Sequence, residues 1–224
     1  MFKGGTYMNI AVVIPCYNEE QTIAAVVEDY KQYFDTIYVI DNNSTDKTAE
    51  YATTAGAIVI KQVLQGKGAT IRYAFNSIDS DIIVLTDGDS TYLARDSKVL
   101  TDYLIKHNLD MIVGNRLASG YFKEHQKIHG FGNKLFCKMA SNMLKVPIKD
   151  LLSGSRVLSK TFYKNIDIIY NGFEIETELT KKCVQGNYKL DYLDIDYLER
   201  PENSKSSLHT FRDGFKILKA LLKK

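Results

Sequence analysis

Two hydrophobic patterns alternate along the first half of the chain. Short unbroken apolar runs occur at NIAVVIPCY (9–17), TIYVID (36–41), AIVIKQ (57–62), IIVL (82–85) and DMIVGNR (110–116). Such runs predict strands buried on both faces. Between them apolar residues recur at helical spacing, as at Ile23, Val26, Val27 and Tyr30 within 19–34. Further helices are predicted over 45–56, with Asp46 near the start and Gly56 just past the end, and over 67–78 and 95–107. Apolar strands joined by helices give an α/β fold, a mostly parallel sheet with helices on both faces. Ligands of such sheets sit at the carboxyl ends of the strands. The polar clusters YNEE, DNNSTD and DGD follow the first, second and fourth strands.

The second half is less regular. Residues 123–146 pattern as a helix, SGSRVLS (153–159) as a strand and 172–187 as a helix. YKLDYLDIDYLE (188–199) alternates as a half-buried strand does, and 206–224 closes the chain as a helix. No linker-like stretch separates the halves, so 9–205 is expected to be one domain, with 1–8 a disordered leader and 206–224 an added basic amphipathic helix. With 45% hydrophobic residues among 224, the core is ample. Lys and Arg number 29 against 27 Asp and Glu, which gives no argument for nucleic acid. The three cysteines are scattered, which suits a reducing compartment and excludes a cysteine-based zinc site. The N-terminus lacks the apolar core of a signal peptide, and no apolar run reaches the roughly 18 residues of a membrane span. A cytoplasmic protein is expected.

The stretch IIVLTDGDSTY (82–92) carries the sharpest chemical signal. Asp87 and Asp89, with only Gly88 between, stand where a buried strand emerges. Like charges so close expect a cation. They suit a divalent metal held against a diphosphate; D-x-D-x-T also spells a phosphatase motif with Asp87 as nucleophile. The phosphatase would carry it on an early strand and add a later strand ending in paired acids, which this chain lacks. QGKGAT (65–70) is not a phosphate loop, because Lys61 stands where that motif needs its first Gly.

The motifs VVIPCYNEE, DNNSTDKT, GKGAT and DGD, followed by VGNR, DLLSGSR, GFEIETEL and ERPENSKSSLHTFRDGFKIL, resemble family-2 glycosyltransferases of the GT-A, Rossmann-like fold. Within that family they are most similar to the dolichyl-phosphate mannose synthase and polyprenyl-phosphate glycosyltransferase branch. The resemblance implies a nucleotide-sugar half (9–116) and an acceptor half (117–205). It implies Mg2+ or Mn2+ at Asp89 and Asp87, an inverting transfer, and a nucleotide pocket that includes Asp41, Lys67, Gly68 and Gly88. Pro15 and Tyr17 would shape the exit of the first strand, and Asn18 and Glu19 would offer hydrogen bonds to the nucleotide. Asn43 and its neighbours suit a turn or cap as well as a ligand contact. Asp41 favours a UDP-sugar, with a GDP-sugar the alternative. The mannose synthases carry Gln two residues after the second Asp, where this chain has Thr91.

A lipid-phosphate acceptor is already anionic near neutral pH, with a second pKa of about 6, and needs cations rather than a base. Arg116, Arg156, Arg200, Ser204 and Lys205, with Ser153 beside Arg156 and Glu174 further on, are the candidates for that acceptor site. Lys123, Lys127, His129 and Lys134 add a basic stretch. A sugar-hydroxyl acceptor would instead need a base, for which Asp150 stands first and Glu174 or Glu176 next. Asp89, Asp150 and Arg156 are thus the catalytic candidates. In the final helix Phe211, Phe215, Leu218 and Leu222 share a face flanked by Lys216, Lys219, Lys223 and Lys224, fit either for a membrane surface or for packing on the domain. The expectation is a metal-dependent glycosyltransferase acting on a polyprenyl phosphate at the inner face of the membrane, with room for a homodimer. The alternatives are transfer to a saccharide hydroxyl, a magnesium phosphohydrolase, and a nucleotide-sugar-binding module without turnover.

Overall fold

A computed structural model describes residues 8–119, 127–201 and 210–223. Among them the elements run β1 (Ile10–Cys16), α1 (Ile23–Lys31), β2 (Thr36–Asp41), α2 (Thr48–Thr54), β3 (Ile58–Lys61), α3 (Lys67–Ser77), β4 (Ile82–Leu85), α4 (Ala94–His107) and β5 (Met111–Asn115). There follow α5 (Lys127–Leu144), β6 (Arg156–Ser159), a short α6 (Lys160–Tyr163), α7 (Ile175–Gln185), β7 (Leu190–Asp194) and α8 (Thr210–Leu222). The strands form one seven-stranded sheet in the order β3-β2-β1-β4-β6-β5-β7.

The alternation of side chains across each strand divides the core into two layers. Val12 and Ile14 face Ile23, Val26 and Tyr30 of α1 and Leu100 and Leu104 of α4. Ala11 and Val13 face Ile71 and Phe75 of α3 and, from the second half of the chain, Leu158, Ile175 and Leu179. The same cluster takes in Leu221 of α8, so residues from both halves and from the last helix share one core. The three cysteines, Cys16, Cys137 and Cys183, are buried and unpaired. No helix of the described residues is long and apolar enough to cross a membrane.

The sheet is parallel from β3 through β4, and then changes. β6 lies antiparallel between β4 and β5, and β7 is parallel to β5. An apolar run buried on both faces looks the same in either direction, so the pattern alone leaves strand direction open. The reversal matters because it sets Arg156, the first residue of β6, opposite Leu85, the last of β4. The SGS segment therefore arrives at the edge where DGD begins. β7 also ends there, with Asp194 opposite Asn115. It stops five residues short of the predicted strand, and 195–200 instead crosses the same edge, where Leu198 N–H donates to the Thr91 carbonyl at 3.0 Å.

The final helix buries Ile217, Ala220 and Leu221, a different face from the one the spacing singled out. Phe215 and Leu222 of the expected face point outward, 71% and 55% exposed. The Lys181 ammonium fastens the helix end to α7 by donating to the carbonyls of Ala220 (2.8 Å) and Leu221 (3.1 Å). Phe211 and Lys224 lie outside the described side chains, as does the expected leader apart from exposed Met8.

Candidate active site

Three loops meet at the carboxyl edge of β1, β2 and β4, and each turns on a left-handed residue: Asn18 (φ 55°), Asn43 (φ 63°) and Ser90 (φ 62°). Asn tolerates that region through its short polar side chain, whereas Ser does so less readily. Pro15 lies past the last β1–β4 pair, Val13↔Leu85, so its missing N–H costs that ladder nothing. Tyr17 follows, 40% exposed. Asn18 is tied to the second loop. Its N–H donates to Ser44 Oγ at 3.0 Å and its Oδ1 accepts from Thr45 N–H at 2.8 Å. Glu19 N–H likewise donates to Thr48 Oγ1 at 2.8 Å. Asp41 is buried and accepts from Ser44 N–H at 3.2 Å.

Asn42, which the sequence did not single out, organises the third loop. Its Oδ1 accepts from Gly66 N–H at 2.7 Å and its amide donates to the carbonyls of Gln62 and Leu64. Gly68, expected in the nucleotide pocket, is buried under 170–172. A Cβ there would stand 2.3 Å from the Tyr170 carbonyl oxygen, and its N–H already donates to the Gly172 carbonyl at 3.2 Å. The start of α3 is thus closed by protein backbone, and Gly68 serves that close approach rather than a phosphate.

The DGD loop lies flat on the core. A Cβ on Gly88 would stand 2.7 Å from Cys16 Sγ, and the Gly88 carbonyl accepts from the Thr22 hydroxyl at 2.6 Å. Both aspartates are met by cations from the protein itself. Lys67 Nζ bridges Asp87 Oδ1 at 2.6 Å and Glu176 Oε1 at 2.7 Å. Burial alone would push the Lys67 ammonium towards neutrality, but the two carboxylates more than reverse this and raise its pKa. Asp89 Oδ1 accepts from the Thr91 N–H (3.2 Å) and hydroxyl (2.6 Å), while Oδ2 takes the Arg200 guanidinium. Arg200 also reaches Glu19 Oε1 at 3.4 Å. Thr91 spends its hydroxyl on Asp89. Gly154 of the SGS segment closes over Asp87: a Cβ there would stand 2.5 Å from Asp87 Oδ2. The Tyr92 hydroxyl holds that segment by accepting from Gly154 N–H at 2.9 Å.

Among the residues expected to serve the acceptor, the geometry corrects three: Asp150, Arg156 and Ser153. Asp150 has no exposed surface. Its oxygens accept from Arg116 Nε (2.9 Å), Nη2 (3.0 Å) and N–H (3.1 Å), from Asn133 Nδ2 (2.7 Å) and from Leu152 N–H (3.2 Å). Burial would raise its pKa, but Arg116 and Asn133 hold the carboxyl below its ordinary value. A carboxylate so saturated and sealed anchors Arg116 and has no lone pair open to a substrate hydroxyl. Arg156, 1% exposed, donates to the carbonyls of Ser153 (2.8 Å) and Leu151 (2.8 Å) and to Thr180 Oγ1 (3.0 Å). It is an interior strut, out of reach of a phosphate, and Ser153 is equally enclosed.

Arg116 is itself buried, its guanidinium held by Asp150 and lying 5.3 Å from the Tyr197 ring centroid. Glu174 curls back so that a Cβ on Gly172 would meet its Oε2 at 2.4 Å. Glu176, by contrast, is drawn into the site through Lys67. Lys134 is exposed. Ser204, Lys205 and Lys123 lie outside the described residues, as do the side chains of Lys127 and His129.

The donor set suits a hard divalent cation. Asp87 and Asp89 supply carboxylate oxygens, and no group of three His, Cys, Asp or Glu among the described residues would complete a closed cage. Mg2+ and Mn2+ sites of this kind use one or two carboxylates and leave the remaining positions to substrate phosphate and water. The missing side chain of Gly154 keeps room beside Asp87 Oδ2.

Residues 11–167 match the profile of glycosyl transferase family 2. Glycosyltransferase AglJ of Haloferax volcanii is 32% identical over 207 residues, 92% of this chain and 68% of that one. The Dolichyl-phosphate hexose transferase of the same organism is 30% identical over 220 residues, 97% of this chain and 94% of that one. Glucosyl-3-phosphoglycerate synthase from Mycobacterium tuberculosis, in complex with uridine-diphosphate, superposes with a TM-score of 0.76 at 19% identity, covering 96% of this chain and 79% of that one. Crystal structures of that synthase also hold Mn2+ or Mg2+ with the nucleotide. The phosphohydrolase and the inert binding module fall away. With its sheet order, its DGD edge and this profile together, the chain belongs to glycosyl transferase family 2 and is a glycosyltransferase of the GT-A fold.

Proposed function

We propose that the protein transfers a sugar from a nucleotide-diphospho-sugar, a UDP-sugar in the first place and a GDP-sugar as alternative, to a polyprenyl phosphate, with inversion. The observation that carries this is the state of the acids a base would be drawn from. Of the three candidates, Asp150 is sealed on Arg116 and Glu176 is paired with Lys67, while Glu174 is half-buried and turned back towards Gly172. A sugar hydroxyl would need one of them free to take its proton. A phosphate monoester is already anionic and needs only to be brought in line by cations. The similarity to a Dolichyl-phosphate hexose transferase and the UDP bound by the structural neighbours support the same reading.

In this reaction a phosphate oxygen of the acceptor attacks the anomeric carbon, and the bond to the diphosphate breaks with its electron pair leaving on the phosphate oxygen. When bound, Mg2+ or Mn2+ supplies positive charge where that negative charge develops. Asp87 and Asp89 would hold it. Lys67 fixes the direction of Asp87, and Thr91 fixes that of Asp89. Arg116, fixed by Asp150 and packed beside Tyr197, is the cation assigned to the acceptor phosphate. The outward Phe215 and Leu222, with exposed Lys219 and Lys223, support a membrane-surface location, where a lipid acceptor resides.

Incubation with UDP-sugars, Mn2+ and a short-chain polyprenyl phosphate tests this. Metal-dependent release of UDP together with a polyprenyl-phospho-sugar is expected, and Asp89→Asn should lower the rate roughly a hundredfold. Glycosylation of a saccharide hydroxyl, with the lipid phosphate untouched, would overturn the acceptor assignment.

A further inference from the structure

We infer that Arg200 is the resting counter-ion of Asp89 and a built-in competitor of the divalent cation, so that cation and nucleotide enter the site as a coupled pair. This rests on the metal-assisted reading above and adds a role for a residue of the chain. Both oxygens of Asp89 are already engaged. Oδ1 already accepts two bonds from Thr91, at 3.2 and 2.6 Å, and Oδ2 carries the Arg200 guanidinium. The side chain is 8% exposed, against 27% for Asp87. A cation reaching Asp89 Oδ2 therefore competes with Arg200 for that oxygen.

The exchange is physically balanced. Arg200 bridges acids from two loops, Asp89 after β4 and Glu19 after β1. Its removal leaves two like charges facing the same volume, which favours a doubly charged replacement. A guanidinium does not release its proton, and Asp89 and Glu19 hold this one more firmly charged despite its burial. It leaves Asp89 only for another anion. The backbone before it is pinned, through Leu198 N–H on the Thr91 carbonyl and Tyr197 edge-on to Tyr92 at 5.4 Å. The side chain alone has to swing. A nucleoside diphosphate gives it a new anionic partner at the same edge and so frees Asp89 for the cation. Linkage makes the effect reciprocal: the cation that displaces Arg200 strengthens nucleotide binding by the same factor.

Mn2+ binding to the full chain without nucleotide, followed by electron paramagnetic resonance of the free ion, tests this directly. Arg200→Ala should bind Mn2+ about tenfold more tightly than the wild type. Arg200→Lys, which keeps the charge, should stay near the wild type, and the gain should vanish in Arg200→Ala combined with Asp89→Asn. UDP should strengthen Mn2+ binding less in Arg200→Ala than in the wild type. If Arg200→Ala melts at the wild-type temperature and binds Mn2+ no more tightly, while UDP still recruits Mn2+ to both proteins, the inference fails and the metal-assisted reading stands. If neither protein binds Mn2+ even with UDP, both fail together.

Discussion

Lys67 shows how a single buried charge sets the behaviour of its neighbours. It is shared between Asp87 and Glu176, at 2.6 and 2.7 Å. Replacing Glu176 by Gln keeps an acceptor oxygen but leaves the whole ammonium charge on Asp87, which then attracts a divalent cation less. Coupling within one such network is on the order of 1 kcal/mol, so the Mn2+ concentration for half-maximal activity should rise roughly fivefold in Glu176→Gln. A metal titration of the variant that overlays the wild type would show that Glu176 is a bystander. The aspartate pair was legible because it follows four apolar residues directly, and that neighbourhood is local. Its partners were not. Arg200 lies 111 positions from Asp89, and nothing in ERPENSK announces which acid it will meet.

At the scale of elements, the antiparallel β6 is what assembles the site. Run in the other direction, it would carry the SGS segment away from Asp87. Its approach is held by the Asp150 clasp, which joins the end of β5 through Arg116 to α5 through Asn133. Breaking a buried pair of this kind costs about 3 to 5 kcal/mol, and Asp150→Asn should lose stability on that order at pH 7 in urea unfolding. Because the folded carboxyl is held below its ordinary value of 3.8, its stabilisation is complete above that pH and drains away as pH falls through the depressed value. The gap between wild type and variant should therefore stay level from neutral pH to about pH 5 and shrink below about pH 4. A gap that persisted unchanged at pH 3 would mean that the charge of Asp150 is not what holds the clasp. The strands themselves could be placed from their apolar runs. The direction of β6 and the early end of β7 could not, because both depend on neighbours distant in sequence.

For the whole molecule, the proposed membrane contact falls on the last helix. Ile217, Ala220 and Leu221 tie it to the domain, while Phe215 and Leu222 face out with Lys219 and Lys223. Co-sedimentation with anionic vesicles should occur and should weaken as salt screens the lysines. Phe215→Ser with Leu222→Ser should abolish it without moving the melting temperature, since neither side chain belongs to the core. Leu221→Ser should instead destabilise the fold by about 2 kcal/mol or more, the cost of losing a buried leucine. Vesicle binding equal in wild type and the Phe215/Leu222 double variant would remove this helix from any membrane role.

Local spacing sufficed for whatever depends on residues near each other in the chain. The strand and helix positions of residues 9–116 and the placing of Asp87 and Asp89 at the carboxyl edge of the sheet follow from it. Tertiary structure alone decided which acids stay open and which are spent. Asp150 and Arg156 looked chemically available, yet burial enclosed one on Arg116 and turned the other into a strut. It also chose which of two apolar stripes on α8 to bury, because 211, 215, 218, 222 and 217, 220, 221 are both apolar enough to pack. A charge or an apolar stripe is a property of sequence, but its partner is a property of the folded chain.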